Sequence, residues 1–348
     1  MASIEDIRSR VEIKEHGILN TRGTSFPGNY SGYDDSWSHE QFKKDLKVQV
    51  IKLSDSEMEF DLIGVDASIA NAFRRIMLSE VPTMAIEKVF IYNNTSIVQD
   101  EILAHRLGLI PIFADPRKFD YRPEGEEEVH SNTVIEFELK VKCTKNPKAP
   151  RDTNDPDELY LNSKVTTEHL KWVPIGKQFK EYKATDIRPV YNDILIAKLR
   201  PGQELDLKVH CVKGIGKDHA KFSPVATASY RLLPEIKLLG QIEGQLAERL
   251  KHCFPKGVIK LENIGGVMRA RVANPRKDTC SREFFRDEDL KDKVKLSRIR
   301  DHFIFSIETT GALPPNVIFT EAIKILMEKC KRYLDAIDKE NDKEKEKE

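Results

Sequence analysis

The chain has 348 residues, in which 57 lysines and arginines balance 57 aspartates and glutamates. This length can form one large or two ordinary domains, each with its own core. The zero formal charge argues against a free-standing nucleic-acid binder, which usually carries a basic excess or stripe. The five cysteines are widely spaced and include no CxxC pair, so the usual zinc and redox motifs are missing and reduced thiols are predicted.

The first forty residues show neither helical nor strand periodicity, and we interpret residues 1–40 as an extended arm. They begin with charged rather than apolar residues, and no run approaches the roughly 18 consecutive apolar residues of a membrane span. The sequence therefore predicts a protein of the cytosol or nucleus without membrane contact. Alternating apolar residues over 48–53 and 58–62 then predict a hairpin of strands.

The clearest helix of the sequence follows this hairpin. Asp66 or Ser68 is a candidate N-cap, and Pro82 is a stop signal. At 100° per residue, Arg74 and Arg75 point away from the apolar face, where they either meet an acceptor on a partner or are simply solvated. The apolar face, with side chains at steps of three and four residues, consists of Ile69, Ala72, Phe73, Ile76 and Met77.

A short helix and a set of strands come next. Asp100 is expected to open a helix over 101–107. Gly108 is expected to close it, at the position where a left-handed cap occurs. The middle third is rich in turn residues between short alternating runs, which predicts a mostly β inserted subdomain with long loops. Further predicted elements are strands at 88–92, 134–141, 205–212, 258–262, 267–272 and 298–308, an extended run at 109–113 and a helix at 242–253.

The last helix is predicted to begin just after Pro314 and Pro315, and it carries a second apolar stripe. Burying five large apolar side chains gains roughly 10 kcal/mol gross whether the cover is the same chain or another. Energy alone therefore does not separate a core from an interface. The charged tail 338–348 is predicted to be solvated and disordered. The stripe contains Phe319, Ala322, Ile323, Leu326, Cys330, Tyr333, Leu334 and Ile337.

Motifs for catalysis are missing from the sequence. The histidines form no HxH or HExxH, and no serine stands in a GxSxG elbow. Residues 213–217, KGIGK, lack the spacing of a phosphate loop and are interpreted as a tight turn. The run 171–183 interleaves Trp172, Phe179 and Tyr182 with lysines, which is typical of single-stranded nucleic-acid binding and equally of an ordinary exposed strand.

Four stretches, in order, resemble the alpha-type subunits of cellular RNA polymerases. The first, NAFRRIMLSEVPTMAI over residues 71–86, is similar to the helix and following strand of that family. The others are DEILAHRLGLIPI at 100–112, HAKFSPVATASYR at 219–231, and FIFSIE at 303–308 leading into AIKIL at 322–326. Together they span about residues 45–337.

Within that family the chain most resembles the larger alpha-like subunit shared by eukaryotic RNA polymerases I and III. The likeness is carried by GNYSGYDD at 28–35 and by the segment from Trp37 to Phe42. The polymerase II paralogue is the alternative. That type carries a zinc-binding cysteine cluster in its insert, and some archaeal relatives carry an iron–sulfur cluster there. Cys143 and Cys211 are too few for either, so we predict no metal and no cofactor.

The resemblance implies an α+β fold with a discontinuous dimerisation domain, in which helices pack on an antiparallel sheet. This domain comprises residues 41–95 and 226–337, and it is interrupted by a mostly β inserted subdomain at 96–225. Helices corresponding to 69–78 and 319–337 are expected to pair with a small alpha-like subunit. The implied heterodimer interface is Ile69, Ala72, Phe73, Ile76, Met77, Phe319, Ile323, Leu326, Cys330 and Tyr333.

A second surface is implied for the second-largest, β-like subunit, and it contains Asn71, Arg74, Arg75, His105 and Arg106. The expected function is that of a non-catalytic assembly subunit of polymerases I and III, which make ribosomal RNA, 5S RNA and tRNA. DNA would be contacted only indirectly within the multi-subunit complex. The expected location is the nucleus, including the nucleolus. A free nucleic-acid-binding module and an enzyme in its own right are the alternatives from other classes.

Overall fold

The structure is a computed structural model, and it describes residues 4–21, 30–123, 125–126, 128–150 and 154–345. Some predictions fall outside the described residues. These include the part of the arm at residues 22–29, with Gly28 and Asn29 of the motif that resembles the polymerase I and III subunits, and the end of the charged tail at 346–348.

Helices occur along the whole described chain. The α-helices are α1 (Ile4–Ser9), α2 (His39–Asp45), α3 (Ala67–Ser79), α4 (Asp100–Gly108), α5 (Pro156–Leu159), α6 (Gln178–Glu181), α7 (Gln245–His252) and α8 (Pro315–Lys345). Short 3₁₀ helices span Pro116–Lys118, Thr167–His169, Ala220–Phe222, Pro275–Lys277 and Glu283–Arg286.

The strands are mostly short, with a few long ones that organise the sheets. They are β1 (Arg10–Ile13), β2 (Ile18–Leu19), β3 (Lys47–Leu53), β4 (Glu57–Ile63), β5 (Thr83–Asn94), β6 (Ile112–Phe113), β7 (Val134–Lys142), β8 (Thr144–Lys145), β9 (Tyr160–Leu161), β10 (Lys164–Thr166), β11 (Lys171–Val173), β12 (Arg188–Pro189), β13 (Leu195–Lys198), β14 (Glu204–Gly214), β15 (Val225–Leu238), β16 (Ile259–Ile264), β17 (Val267–Val272) and β18 (Val294–Thr309).

The described residues fall into two compact units, each assembled from separate stretches of chain. The first comprises Met1–Lys52, Glu59–Asn71 and Ser229–Ser306, and the second comprises Leu53–Met58, Ala72–Ala228 and Ile307–Glu348. The predicted division into arm, dimerisation domain, insert and tail rests on composition, periodicity and resemblance, and its boundaries differ from those of the compact units. That division stays a prediction.

Most of a six-stranded sheet lies in the first unit. Its order is β2-β1-β18-β4-β3, and β15 also pairs with β18. β1 is antiparallel to β18, with Ile13 opposite Leu296, and both side chains are buried in one core cluster. The sequence predicts no regular element in this part of the arm, and the structure differs because the four-residue β1 is too short to show a period.

β3 forms one edge of this sheet. All of its residues are exposed, including Val48, Val50 and Ile51. Because successive side chains of a strand point to opposite faces, β3 carries uncovered apolar side chains on both of its faces. The predicted hairpin is confirmed, since β3 and β4 are neighbours in the sheet.

A buried ionic cluster in the first unit centres on Asp61 of β4. Its carboxylate accepts hydrogen bonds from Arg276 Nη1 and Nη2 at 2.9 and 2.6 Å, and it lies 3.0 Å from His302 Nε2. Burial raises the pKa of Asp61, but the hydrogen bonds from Arg276 and His302 outweigh it, so this pKa lies below its ordinary value. Arg276 Nε also donates to Glu59 at 2.7 Å.

The second unit contains a four-stranded sheet of order β11-β7-β14-β5. Leu205, Leu207 and Val209 alternate along β14 and are fully buried, as expected for one covered face of an antiparallel sheet. Cys143 and Cys211 are buried free thiols in the same core cluster, where burial raises the pKa of both. The predicted α+β class with antiparallel sheets is confirmed.

The two helices nearest the predicted sites begin where the sequence indicates. The carboxylate of Asp66 accepts a hydrogen bond from Ser68 N at 2.8 Å, and α3 ends at Ser79, just before Pro82. α4 runs from Asp100 to Gly108, so the prediction that Gly108 is a left-handed C-terminal cap is wrong. The C-cap is Leu109, which stays right-handed because its N–H closes the last turn on the carbonyl oxygens of Arg106 and Leu107. The predicted extended run 109–113 is a strand only at Ile112–Phe113.

The last helix is longer than the sequence predicts. α8 continues to Lys345, through most of the charged segment for which we predict disorder. Lysine and glutamate are good helix formers, and no glycine or proline interrupts the segment. No helix within the described ranges is both long and apolar enough to cross a membrane.

Candidate protein-interaction site

The second half of α8 presents an apolar stripe to solvent. Every residue from 331 to 340 is exposed, and Tyr333 is 73 % exposed. Full burial of a large apolar side chain gains roughly 1.5–3 kcal/mol, so covering this stripe would be strongly favourable. Its members follow steps of three and four residues, and they are Met327, Cys330, Tyr333, Leu334 and Ile337.

The first half of α8 is covered by its own chain. Phe319 is buried, and its ring meets that of Phe73 edge-on, with ring centroids 5.5 Å apart. Ile76 and Met77 of α3 are also buried. The structure thus divides the predicted heterodimer interface into a covered and an exposed part. Ile69, Ala72, Phe73, Ile323 and Leu326 are half-buried between these extremes.

An ion pair lies near the transition between the two halves of α8. Lys329 Nζ donates to the carboxylate of Glu80, just after α3. Both side chains remain partly exposed. The pair therefore contributes little to the free energy of unfolding, although it links α8 to the end of α3.

The predicted docking residues of α3 lie beside the covered stripe. Arg75 is exposed, and Asn71 and Arg74 are half-buried. The hydroxyl of Ser79 donates to the carbonyl oxygen of Arg75 at 2.7 Å, which completes the last turn of the helix. The exposure of Arg75 agrees with the expectation that its side chain points off the apolar face.

The other docking residues, His105 and Arg106, are exposed on α4. Arg106 Nη2 donates to the carbonyl oxygen of Leu195 at 2.7 Å. His105 lines a cleft of about 270 Å³. The cleft is lined by Ile86, Glu87, Val89, Ala104, His105, Gly108, Leu109, His219 and Lys221.

This cleft joins residues from three of the four ordered sequence motifs: Ile86 from the first, His105 from the second and Lys221 from the third. Lys221 Nζ donates to the carbonyl oxygen of Ile86 at 2.9 Å and pairs with Glu87. An apolar floor with a charged rim is typical of a protein contact. Sequence reasoning missed Glu87 and Lys221, although the HAK start of the third motif points to Lys221.

The glycine-containing run 213–217 is a turn that approaches a helix closely. A Cβ at Gly216 would collide with the carbonyl oxygen of Leu78 in α3, and Lys217 N donates to the carbonyl oxygen of Ser79 at 2.8 Å. The glycine therefore permits close approach of two backbones, in agreement with the interpretation as a tight turn.

The basic and aromatic run 171–183 does not form a stacking platform. Trp172 is half-buried against the core of the second unit, and Tyr182 stacks on Phe119 with ring centroids 5.5 Å apart. Only Phe179 among the three aromatic side chains is exposed. Base stacking needs accessible ring faces, so this geometry disfavours the nucleic-acid interpretation.

Metal ligation finds no support in the part of the chain that the structure describes. There, no three or more His, Cys, Asp or Glu side chains converge in an arrangement that could hold an ion. The exposed apolar stripe of α8 and the cleft beside α4 are surfaces that suit contacts with other proteins.

Comparison with known proteins agrees with this assessment. Residues 59–330 match the family model of the RNA polymerase Rpb3/Rpb11 dimerisation domain. The human DNA-directed RNA polymerases I and III subunit RPAC1 is 60 % identical, with 97 % of each chain covered. The Saccharomyces cerevisiae protein of the same name is 49 % identical over 92 % of this chain and 96 % of its own.

The polymerase II type is more distant among these relatives. The Dictyostelium discoideum DNA-directed RNA polymerase II subunit rpb3 is 33 % identical over 83 % of this chain and 94 % of its own. The chain therefore belongs to the alpha-like subunit family of cellular RNA polymerases. Within it, the chain falls in the group of subunits shared by polymerases I and III rather than with the polymerase II type.

Proposed function

We propose that the chain is a non-catalytic assembly subunit of DNA-directed RNA polymerases I and III, with nucleotidyl transfer left to the large subunits. The observation that carries the proposal is the uncovered apolar stripe on the second half of α8, in a chain whose family model is a dimerisation domain. The near full-length identity to subunits named for both polymerases supports the choice of polymerases.

The proposed partner for the stripe is a small alpha-like subunit. A helix that is apolar on one face and otherwise polar is stable in water only when that face is covered. Tyr333, Leu334 and Ile337 are far from covered in the single chain. A partner helix laid along them would extend the core that begins at Phe73 and Phe319.

The proposed docking surface for the second-largest subunit is built around the cleft of α4 and the exposed Arg75. Arg75 and His105 offer donors to acidic or carbonyl groups of a partner, and Leu109 offers an exposed apolar contact beside them. Three of the four ordered motifs contribute residues to this cleft, which supports the proposal that one large partner binds there.

In this role the chain needs no cofactor and meets DNA only through the other subunits. The proposed location is the nucleus, including the nucleolus, where ribosomal RNA is made. This location is favoured because a polymerase subunit acts where its DNA template lies.

Co-expression tests the proposal directly. The full chain should be poorly soluble alone and should form a soluble 1:1 complex with the small alpha-like subunit, because the stripe on α8 is then covered. Size-exclusion chromatography with light scattering measures the stoichiometry. A stable monomer that does not bind the small subunit would overturn the proposal.

A further inference from the structure

A cavity of about 570 Å³ opens on the first unit, beside the ionic cluster of Asp61 and Arg276. Its walls come from β15, from β18 and from the segment that follows β17. Their side chains are mainly cationic, which is unusual for a chain without net charge. The lining residues are Arg231, Leu232, Arg276, Lys277, Asp278, Thr279 and Arg298.

Three of the four cations of the cavity, Arg231, Lys277 and Arg298, lie outside the ion pairs that Arg276 forms with Asp61 and Glu59. Arg231 Nη2 donates to the carbonyl oxygen of Arg276 at 2.7 Å, and Arg298 Nη1 donates to that of Leu232 at 2.8 Å. Within the described ranges, none of the three forms an ion pair. Each arginine therefore keeps further N–H donors for another acceptor.

The local electrostatics agree with this excess of positive charge. Burial lowers the pKa of Arg231, and the nearby guanidinium groups of Arg298 and Arg276 lower it further. Arg276 is itself held by Asp61 and Glu59. An anion in the cavity would relieve the repulsion among the remaining cations.

Asp278 adds a requirement of a different kind. Asp278 is 3 % exposed, and its Oδ2 has no hydrogen-bond partner among the residues that the structure describes, whereas Oδ1 accepts from Cys280 N at 3.1 Å. A ligand that suits this cavity therefore brings negative groups to the cations, together with N–H groups whose dipoles offset the repulsion from the nearby Asp278 carboxylate. A polypeptide has both, since its backbone N–H groups accompany its carboxylates.

We propose that this arginine cavity binds a pair of carboxylates on an acidic polypeptide segment of a partner protein. Carboxylates match the planar fork of an arginine side chain in a bidentate way. The surface is one that the proposed function does not use, so the two proposals stand or fall separately.

A nucleic acid fits the cavity less well. A phosphodiester backbone carries no N–H donor for Asp278, and stable electrostatic binding of a duplex uses about 6–10 phosphate contacts. The cavity offers only four cations, and one of them, Arg276, is already held by Glu59 and Asp61. The acidic polypeptide is therefore the favoured ligand.

The test uses the full chain in the soluble form in which it is purified, alone or with its small partner. The probe is a fluorescein-labelled peptide with four glutamates in a glycine–serine background, followed by fluorescence anisotropy. Arg231→Gln with Arg298→Gln should weaken binding by at least about tenfold, because two charge-assisted hydrogen-bonding sites are lost. The matched control, Arg271→Gln with Arg286→Gln, removes the same charge at exposed positions outside the cavity and should leave affinity nearly unchanged.

A second variant tests the cavity independently, in case the double arginine variant does not fold. Thr279→Glu leaves all arginines in place and puts a competing carboxylate beside the cavity, so it should also weaken peptide binding, by at least about fivefold. No binding by the wild-type chain, equal loss in the control, or tighter binding of a ten-residue oligothymidine than of the peptide would each overturn the proposal. Competition by inorganic phosphate at only millimolar concentration would agree with it.

Discussion

Two apolar stripes follow the same step of three and four residues on α3 and α8, yet they end in different environments. Ile76 and Met77 of α3 are buried in the single chain, as is Phe319 at the start of α8. Tyr333, on the same continuous helix as Phe319, is 73 % exposed.

The contrast shows that periodicity identifies a face that must be covered but not the molecule that covers it. In α3 and the first half of α8, the cover is the remainder of the chain. In the second half of α8, the cover has to come from elsewhere, and we propose a small alpha-like subunit. Substitutions at Met77, Leu334 and Lys329 separate these cases, and one at Asp61 gives a contrast from the first unit; the four are ordered by expected effect.

The largest effect is expected from a charge in the covered part. Met77→Asp would bury an unpaired carboxylate and remove a fully buried side chain, at a cost of at least about 3 kcal/mol in the free energy of unfolding. Met327→Asp is the matched control, because Met327 is exposed and should change stability by less than about 0.5 kcal/mol. Urea denaturation of the dilute full chain measures both. Equal losses would remove the distinction between the two halves.

A charge in the exposed part should affect association instead of folding. Leu334→Asp is expected to cost about 2–4 kcal/mol of heterodimer affinity, since it places an unpaired charge in an apolar contact. Ala336→Asp adds the same charge about 200° around the helix from Leu334 without removing a large apolar side chain, and it serves as the control. Titration of each variant with the small subunit gives the two affinities. An unchanged affinity for Leu334→Asp in a folded chain would show that the exposed stripe is not the interface.

A substitution in the first unit should reduce stability without touching association. Asp61→Asn leaves the guanidinium of Arg276 without its main partner and should cost about 2–3 kcal/mol at pH 7. The pKa of Asp61 is lowered in the folded chain, so its stabilisation is present above the ordinary aspartate pKa of about 3.9. That stabilisation is lost as the pH falls through the folded value.

The difference in unfolding free energy between the wild type and Asp61→Asn should therefore shrink in acid, in denaturation curves recorded from pH 7 downwards. Their affinities for the small subunit should be equal at pH 7. A difference that grows on acidification would contradict the assigned role of Asp61.

The smallest effect is expected where the covered and exposed halves of α8 meet. Lys329→Gln removes the ion pair with Glu80, and because both side chains are partly exposed the loss should not exceed about 1 kcal/mol. Thermal unfolding at low and high salt measures it. The difference from the wild type should fade at high salt, and a large loss that persists in salt would mean that the contact is part of the core.

Local signals in the sequence were sufficient for the elements near the predicted sites. Asp66 and Pro82 bracket α3, because caps and breakers act on neighbouring backbone groups. Gly108 is instead the last residue of α4, which is capped by Leu109. β1 was not predictable, since its strand character comes from pairing with residues almost 300 positions away. α8 continues beyond Asp338, contrary to the predicted disorder, because lysine and glutamate favour a helix even where their charge suggests a solvated tail.

The cleft beside α4 and the arginine cavity also depend on contacts between residues that are distant in the sequence. The ordered motifs indicated His105 and Arg106, but the cleft that joins them to Lys221 exists only after long-range folding. Arg231 and Arg298 stand on two strands, and Asp278 lies on a separate loop. No spacing in the sequence marks their meeting as a cavity.

The edge strand β3 has a consequence for handling the protein. A strand at a sheet edge with apolar side chains on both faces is a template on which further strands can add, chain after chain. Lys47 and Lys52 at its ends are the kind of charge that opposes such growth. Replacing either lysine by valine should therefore promote fibrillar aggregation of the isolated chain, a hazard that follows from the edge rather than from the helices.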